Sequence, residues 1–107
     1  MADILDLDPL KAEKMAAMLR AVAHPVRLQL LARLRQGEDT VGHLAEVLKV
    51  PQSVVSNHLA VLRLNGLVSV RRSKGYAWYA ANMERLREVF ACLQGRAEGP
   101  DLEEEGQ

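Results

Sequence analysis

Apolar residues recur along the chain at helical spacing in five stretches, and β-branched and aromatic residues crowd into two short runs near its middle. Met15, Met18, Leu19 and Val22 stack at i, i+3, i+4 and i+7, which predicts a first helix from Pro9 to Val22. A second is predicted from Pro25 to Gln36, burying Leu28, Leu31 and Leu34 and closed by Gly37 as a left-handed cap. Glu38-Asp39-Thr40 makes a turn, and Thr40 can N-cap a short third helix, Val41 to Lys49, with Leu44, Ala45 and Leu48 inward. Pro51 opens a fourth helix that ends at Asn65-Gly66. Its Val55, Leu59 and Leu62 form one apolar stripe, with Gln52, Ser53, Ser56, Asn57 and Ala60 on the opposite side. The prolines at 9, 25 and 51 suit a first helical turn, where φ is already right and an N–H is not needed.

Leu67 to Arg72 and Tyr76 to Ala81, separated by Ser73-Lys74-Gly75, predict a hairpin with a basic tip. Asn82 caps a last helix, Met83 to Gln94, whose apolar face holds Met83, Leu86, Phe90 and Leu93, and Gly95 stops it. The fold class is therefore mainly α with a small β-hairpin: five helices and a two-stranded antiparallel wing. Only two or three residues separate the third helix from the fourth, the spacing of a helix-turn-helix corner.

Composition narrows the class. The chain has 107 residues, 49% of them apolar and 26% charged, which suits one compact soluble domain. Residues 9–95 are assigned to that domain, residues 1–8 to a flexible acidic N-terminus and residues 96–107 to a disordered acidic tail. Apolar runs are too short to span a bilayer, and the N-terminus lacks the pattern of a secretory signal, so the expected location is cytoplasmic. No Gly-rich phosphate loop and no Ser-His-acid spacing is present, so a catalytic role and a cofactor are not expected. The formal net charge is zero, yet the distribution is uneven. Residues 14–83 carry ten bases against three acids, while both ends are acidic. A basic middle is the footprint of a nucleic-acid reader.

The polar side of the fourth helix fits such a role. Gln and Asn can pair bidentately with adenine, and Ser can donate or accept. The DNA-binding set is accordingly Thr40, Gln52, Ser53, Ser56 and Asn57, with Arg71, Arg72 and Lys74 on the hairpin clamping the phosphate backbone. Met15, Met18, Leu19, Leu86, Val89, Phe90 and Leu93 add apolar stripes beyond a winged-helix core. They are expected to bury one another across a twofold axis. His24 is expected to close the turn into the second helix, His43 to be solvated near a phosphate, and His58 to serve packing or a helix-surface hydrogen bond.

The strings Ala23-His24-Pro25-Val26-Arg27-Leu28, Thr40-Val41-Gly42-His43-Leu44-Ala45, Gln52 to Leu62, Gly66-Leu67-Val68 and Arg71 to Tyr79 resemble the ArsR/SmtB family of winged-helix repressors. The resemblance covers residues 10–95. It implies a homodimer that binds operator DNA and releases it when an inducer arrives, with the recognition helix on Pro51 to Asn65 and the wing on Arg71 to Tyr76. The third helix lacks the Cys-x-Cys pair of metal-sensing members, Thr40-Val41-Gly42 standing there instead, and the last helix holds no Asp and His ligand pairs. No metal site is expected. Cys92, the single cysteine, leaves two alternatives open: an inert packed thiol, or a redox or sulfur-species sensor whose sole disulfide route is between subunits. A winged-helix protein-interaction module, with the polar helix face idle, is the competing reading from another class.

Overall fold

Four of the five described helices begin where a side chain supplies what the first turn lacks. The computed structural model describes residues 8–94, with side chains through Ala91. The first helix, α1 (Pro9–Val22), is capped by Asp8, whose carboxylate accepts from the Lys11 N–H at 2.8 Å. In α2 (Pro25–Leu34) the cap is His24, whose Nδ1 accepts from the Val26 N–H at 3.1 Å. Thr40 caps α3 (Val41–Leu48) and Asn82 caps α5 (Met83–Gln94), Asn82 Oδ1 accepting from the Arg85 N–H at 3.1 Å. Asp8 thus belongs to the first helix. The remainder of the assigned N-terminal segment and the tail from residue 96 lie outside the described residues.

The corner between α3 and α4 (Gln52–Leu64) is made by Lys49, left-handed at φ 60°, together with Val50 and Pro51. The Val50 N–H returns to the Ala45 carbonyl at 3.2 Å, closing α3. A non-glycine residue in this region costs of order 1 kcal/mol, offset by the burial that the corner permits. Leu30 of α2, Leu44 of α3, Val55, Leu59 and Leu62 of α4 and Leu67 are all fully buried, and Leu31, Leu34, Ala45, Val68 and Leu86 join the same core.

The wing is an antiparallel pair, β1 (Val68–Ser73) and β2 (Tyr76–Ala81), in register from Val68 opposite Ala81 to Ser73 opposite Tyr76. Lys74 and Gly75 form the two-residue turn, both with positive φ, 52° and 84°. That is the primed geometry whose twist matches a hairpin. Leu67 was expected in the strand; it sits just before it, its carbonyl accepting from the Asn82 N–H at 2.8 Å so that the two ends of the wing are tied together.

Three expectations need correction. The second helix ends at Leu34, not Gln36, because Gln36 and Gly37 reach back only three residues to the Arg33 and Leu34 carbonyls and unwind the last turn. Leu28 is 54% exposed while Leu30 is fully buried. The inward face of α2 is centred on Leu30, Leu31 and Leu34, which puts Leu28 well round the helix. On α5 the inward residues are Leu86 and Val89, 8% and 2% exposed, while Phe90 is 54% exposed. Leu86 and Val89 are therefore largely covered within one chain, and Phe90 is the exposed apolar residue of the described α5.

Truncation should follow this burial. Leu59→Ala is expected to destabilise by about 2–5 kcal/mol, and Leu28→Ala by no more than about 0.5 kcal/mol, as measured by urea denaturation. Equal losses at the two positions would contradict the inward face assigned to α2.

Candidate nucleic-acid interface

Burying Val55, Leu59 and Leu62 turns the other side of α4 to solvent. Gln52, Ser53, Ser56, Asn57 and Ala60 are all exposed. The structure thus gathers the four expected polar residues of this helix on one open face. No side chain caps α4, so its first-turn N–H groups have no side-chain acceptor, an arrangement that favours an anion nearby. Gln52 reaches back over the start of α3, its Nε2 lying 3.7 Å from where a Cβ at Gly42 would stand. Thr40 is half-buried, and its hydroxyl accepts from the His43 N–H at 3.3 Å. It supports α3 from just outside the polar face.

Arg71 is not the free cation that the sequence leads one to expect. Its Nε and Nη2 each donate to a Glu38 carboxylate oxygen at 2.7 Å, a two-pronged ion pair, and its guanidinium lies 5.9 Å from the Trp78 ring centre. The hydrogen bonds to Arg71, with its charge, hold the Glu38 carboxyl below its ordinary range, and the same pairing raises the Arg71 guanidinium. Among the described residues Arg72 and Lys74 form no ion pair, and both are exposed. The wing therefore offers two free cations and one neutralised one.

The loop before α3 attaches the wing to the helices. Asp39 and Tyr79 exchange both backbone hydrogen bonds, at 3.0 and 2.8 Å. The Asp39 carboxylate accepts from the Thr40 N–H at 2.8 Å, lies 2.7 Å from His43 Nδ1 and 3.9 Å from Arg33 Nε. His43 was expected to be solvated; it is paired to Asp39, which the loop before the Thr40 cap places beside the first turn of α3. Neither Glu38 nor Asp39 stood out in the sequence as a functional residue. Arg63 was missed as well. With Ser56, Ala60, Leu64 and Tyr79 it lines an open groove of about 460 Å³ between α4 and β2, and its place on the Ser56 side of the helix was the available signal.

Behind the polar face, His24 and His58 stack at 4.3 Å between ring centres, and His58 Nδ1 accepts from Arg27 Nε at 3.0 Å. His24 and His58 thus serve as cap and packing groups, as their positions suggested. Among the described residues no group of three or more His, Cys, Asp or Glu side chains comes together as metal donors. The side chains of Cys92, left open between an inert thiol and a redox sensor, and of Leu93, expected in a dimer seam, lie outside those described.

A short corner between two helices, a second helix with an open polar face and a two-stranded hairpin after it define a winged helix-turn-helix. The model of the arsR family of bacterial regulatory proteins matches residues 24–70, and the chain belongs to that family, one of transcriptional regulators rather than of enzymes. The chain is 41% identical over 83 residues to a biofilm growth-associated repressor of Agrobacterium fabrum, covering 78% of this chain and 71% of that protein. It is 35% identical over 80 residues to the transcriptional activator HlyU of Vibrio cholerae, covering 75% and 74%. Among solved structures it is similar to the homodimeric winged helix-turn-helix DNA-binding domain of a possible ArsR-family regulator from Mycobacterium bovis. That match has a TM-score of 0.69 at 30% identity and covers 83% of this chain and 85% of the other. No helix among the described residues is long and apolar enough to cross a membrane.

Protonation should loosen the support behind α4. Burial first, then electrostatic repulsion from the neighbouring His24 and Arg27, lowers the His58 pKa from its ordinary value. A depressed value in the folded chain means that the neutral imidazole is the stabilising form. Its contribution is complete above the unfolded value of about 6.5 and is lost as pH falls through the lower folded value. Urea midpoints recorded from neutral to acid pH should show that decline, and His58→Gln, which keeps an acceptor for Arg27, should flatten it. An unchanged acid limb in His58→Gln would assign the decline to other groups.

Proposed function

We propose that the chain acts as a homodimeric transcriptional repressor that binds an inverted-repeat operator in double-stranded DNA. In this reading α4 enters the major groove, and Gln52, Ser53, Ser56 and Asn57 contact bases or phosphates. Arg72 and Lys74 of the wing lie along the flanking backbone. The observation that carries it is the division of α4 into a fully buried apolar stripe and an exposed face of small polar side chains. Such a face, free of bulky apolar groups, can approach base edges closely.

Dimerisation supplies the second half-site. Met15, Met18 and Leu19 on α1 are half-buried in the single chain, and Leu10 and Phe90 are 61% and 54% exposed. A twofold axis through α1 and α5 would cover them and set two reading helices about 34 Å apart, one turn of DNA. The M. bovis structure supports this arrangement by being homodimeric, and the A. fabrum relative supports repression by its name. We place the inducer among non-metal effectors. The described donors come together only in pairs such as Asp39–His43 and His24–His58, short of the roughly four that zinc requires.

The contact assignments make separable predictions. Alanine at Arg72 or Lys74 should weaken binding to all duplexes alike and flatten the dependence of log K on log salt by about 0.9 each. Gln52→Ala should cost about 1–3 kcal/mol on the operator and little on scrambled DNA. Fluorescence anisotropy with a palindromic duplex from the chain's own upstream region, between about 50 and 200 mM salt, reads both. Operator affinity untouched by Gln52→Ala would remove α4 from the major groove. Sedimentation as a single chain would remove the dimer.

A further inference from the structure

Of the cations that face outward on the wing, Arg71 alone is neutralised by its own chain. We infer that Glu38 withholds Arg71 from the DNA backbone, so that the wing binds with one phosphate contact fewer than its basic residues would allow. The inference rests on the DNA-binding role proposed above and adds to it a residue outside both the reading helix and the wing. A carboxylate and a phosphate each present two oxygens to the same edge of a guanidinium. Glu38 fills that edge with both contacts at 2.7 Å. A phosphate can take that two-pronged edge of Arg71 only by evicting Glu38.

Two features hold the Glu38–Arg71 pair together, and a third leaves it within reach of DNA. Its neighbour Asp39 is paired through both backbone hydrogen bonds to Tyr79, next to Trp78, and Trp78 stands opposite Arg71 in the strand register. The loop therefore delivers the carboxylate to Arg71 whatever the state of the surface. Trp78 holds the guanidinium from one side at 5.9 Å, which limits the directions in which Arg71 can swing away. The pair is also open to solvent, with side-chain exposures of 56% for Arg71 and 39% for Glu38. DNA can therefore reach Arg71 once the carboxylate is removed.

Non-specific binding to a short mixed-sequence duplex suffices as a test, since phosphate contacts do not depend on sequence. In the native chain Arg71→Ala is expected to leave the salt slope unchanged. Glu38→Gln is expected to steepen it by about 0.9, one added phosphate contact, and to tighten binding roughly twofold to fivefold. With Arg71→Ala already present, Glu38→Gln should no longer steepen the slope, which separates release of Arg71 from the simple loss of a negative charge near DNA. Glu38→Ala should behave as Glu38→Gln does, because the Asp39–Tyr79 pairing that secures the loop uses only backbone atoms. A native-chain Arg71→Ala that flattens the slope by about 0.9, or a Glu38→Gln slope equal to the native one, overturns the inference alone. Failure of both chains to bind duplex DNA overturns it together with the DNA-binding role.

Discussion

The structure depends on the burial of one face of α4. Val55, Leu59 and Leu62 have no exposure and meet Leu30, Leu44 and Leu67 from three other segments. Fully burying a side chain of this size contributes about 1.5–3 kcal/mol, so rotating α4 out of register would forfeit several such terms at once. A helix has only one azimuth. Fixing the inward residues at 55, 59 and 62 fixes 52, 53, 56, 57 and 60 outward with no further instruction. The surface that reads DNA in our proposal is in this sense a by-product of the core, and its rigidity is inherited from it.

The wing has no comparable core. Two strands are marginal by themselves in water, and this hairpin is held at its base by Leu67, Val68 and the Asn82 to Leu67 hydrogen bond, and along its length by the loop at residues 38–39. Asp39 pairs through its backbone with β2 while Glu38 pairs through its side chain with β1. One dipeptide thus engages both strands. The same dipeptide leads into Thr40 and α3, so the wing and the helix-turn-helix share an anchor and keep a defined relation to each other.

Much of this architecture is readable from the residues in order. Pro9, Pro25 and Thr40 mark helix starts because the first turn has local needs that only a few residue types meet. Asn65-Gly66 and Lys74-Gly75 mark the end of a helix and a turn for the same reason. The polar face of α4 is readable because helical period and a clean apolar stripe leave no choice of orientation. What escaped was set by tertiary contact. Leu28 and Leu30 both belong to a leucine-rich helix whose apolar positions nearly encircle it, so the pattern alone does not say which side meets α4. On α5, Val89 and Phe90 are adjacent apolar residues of which the fold buries one, and it is the smaller. The Glu38–Arg71 pair spans 33 positions and has no local signature. The Asp39–His43 pair, four residues apart on a helix entry, could have been found from spacing.

Formal charge overstates what the basic middle can offer a polyanion. Ten bases lie between residues 14 and 83, but they are not equivalent. Arg71 is held by Glu38, and Arg27 donates to His58 and to the Ala21 carbonyl. Arg33 faces the Asp39 carboxylate at 3.9 Å. On the wing this leaves Arg72 and Lys74, at the helix-turn-helix corner Lys49, and on α4 itself Arg63. Each cation withheld lowers the sequence-independent attraction to DNA, since each phosphate neutralised contributes separately to affinity and to its salt dependence. In the proposed binding mode a lower background shifts discrimination onto the α4 side chains that would face the bases. Competing genomic sites share the phosphate term in full and the base term only by chance, so a chain that restrains its own cations loses total affinity while keeping the difference between one sequence and another.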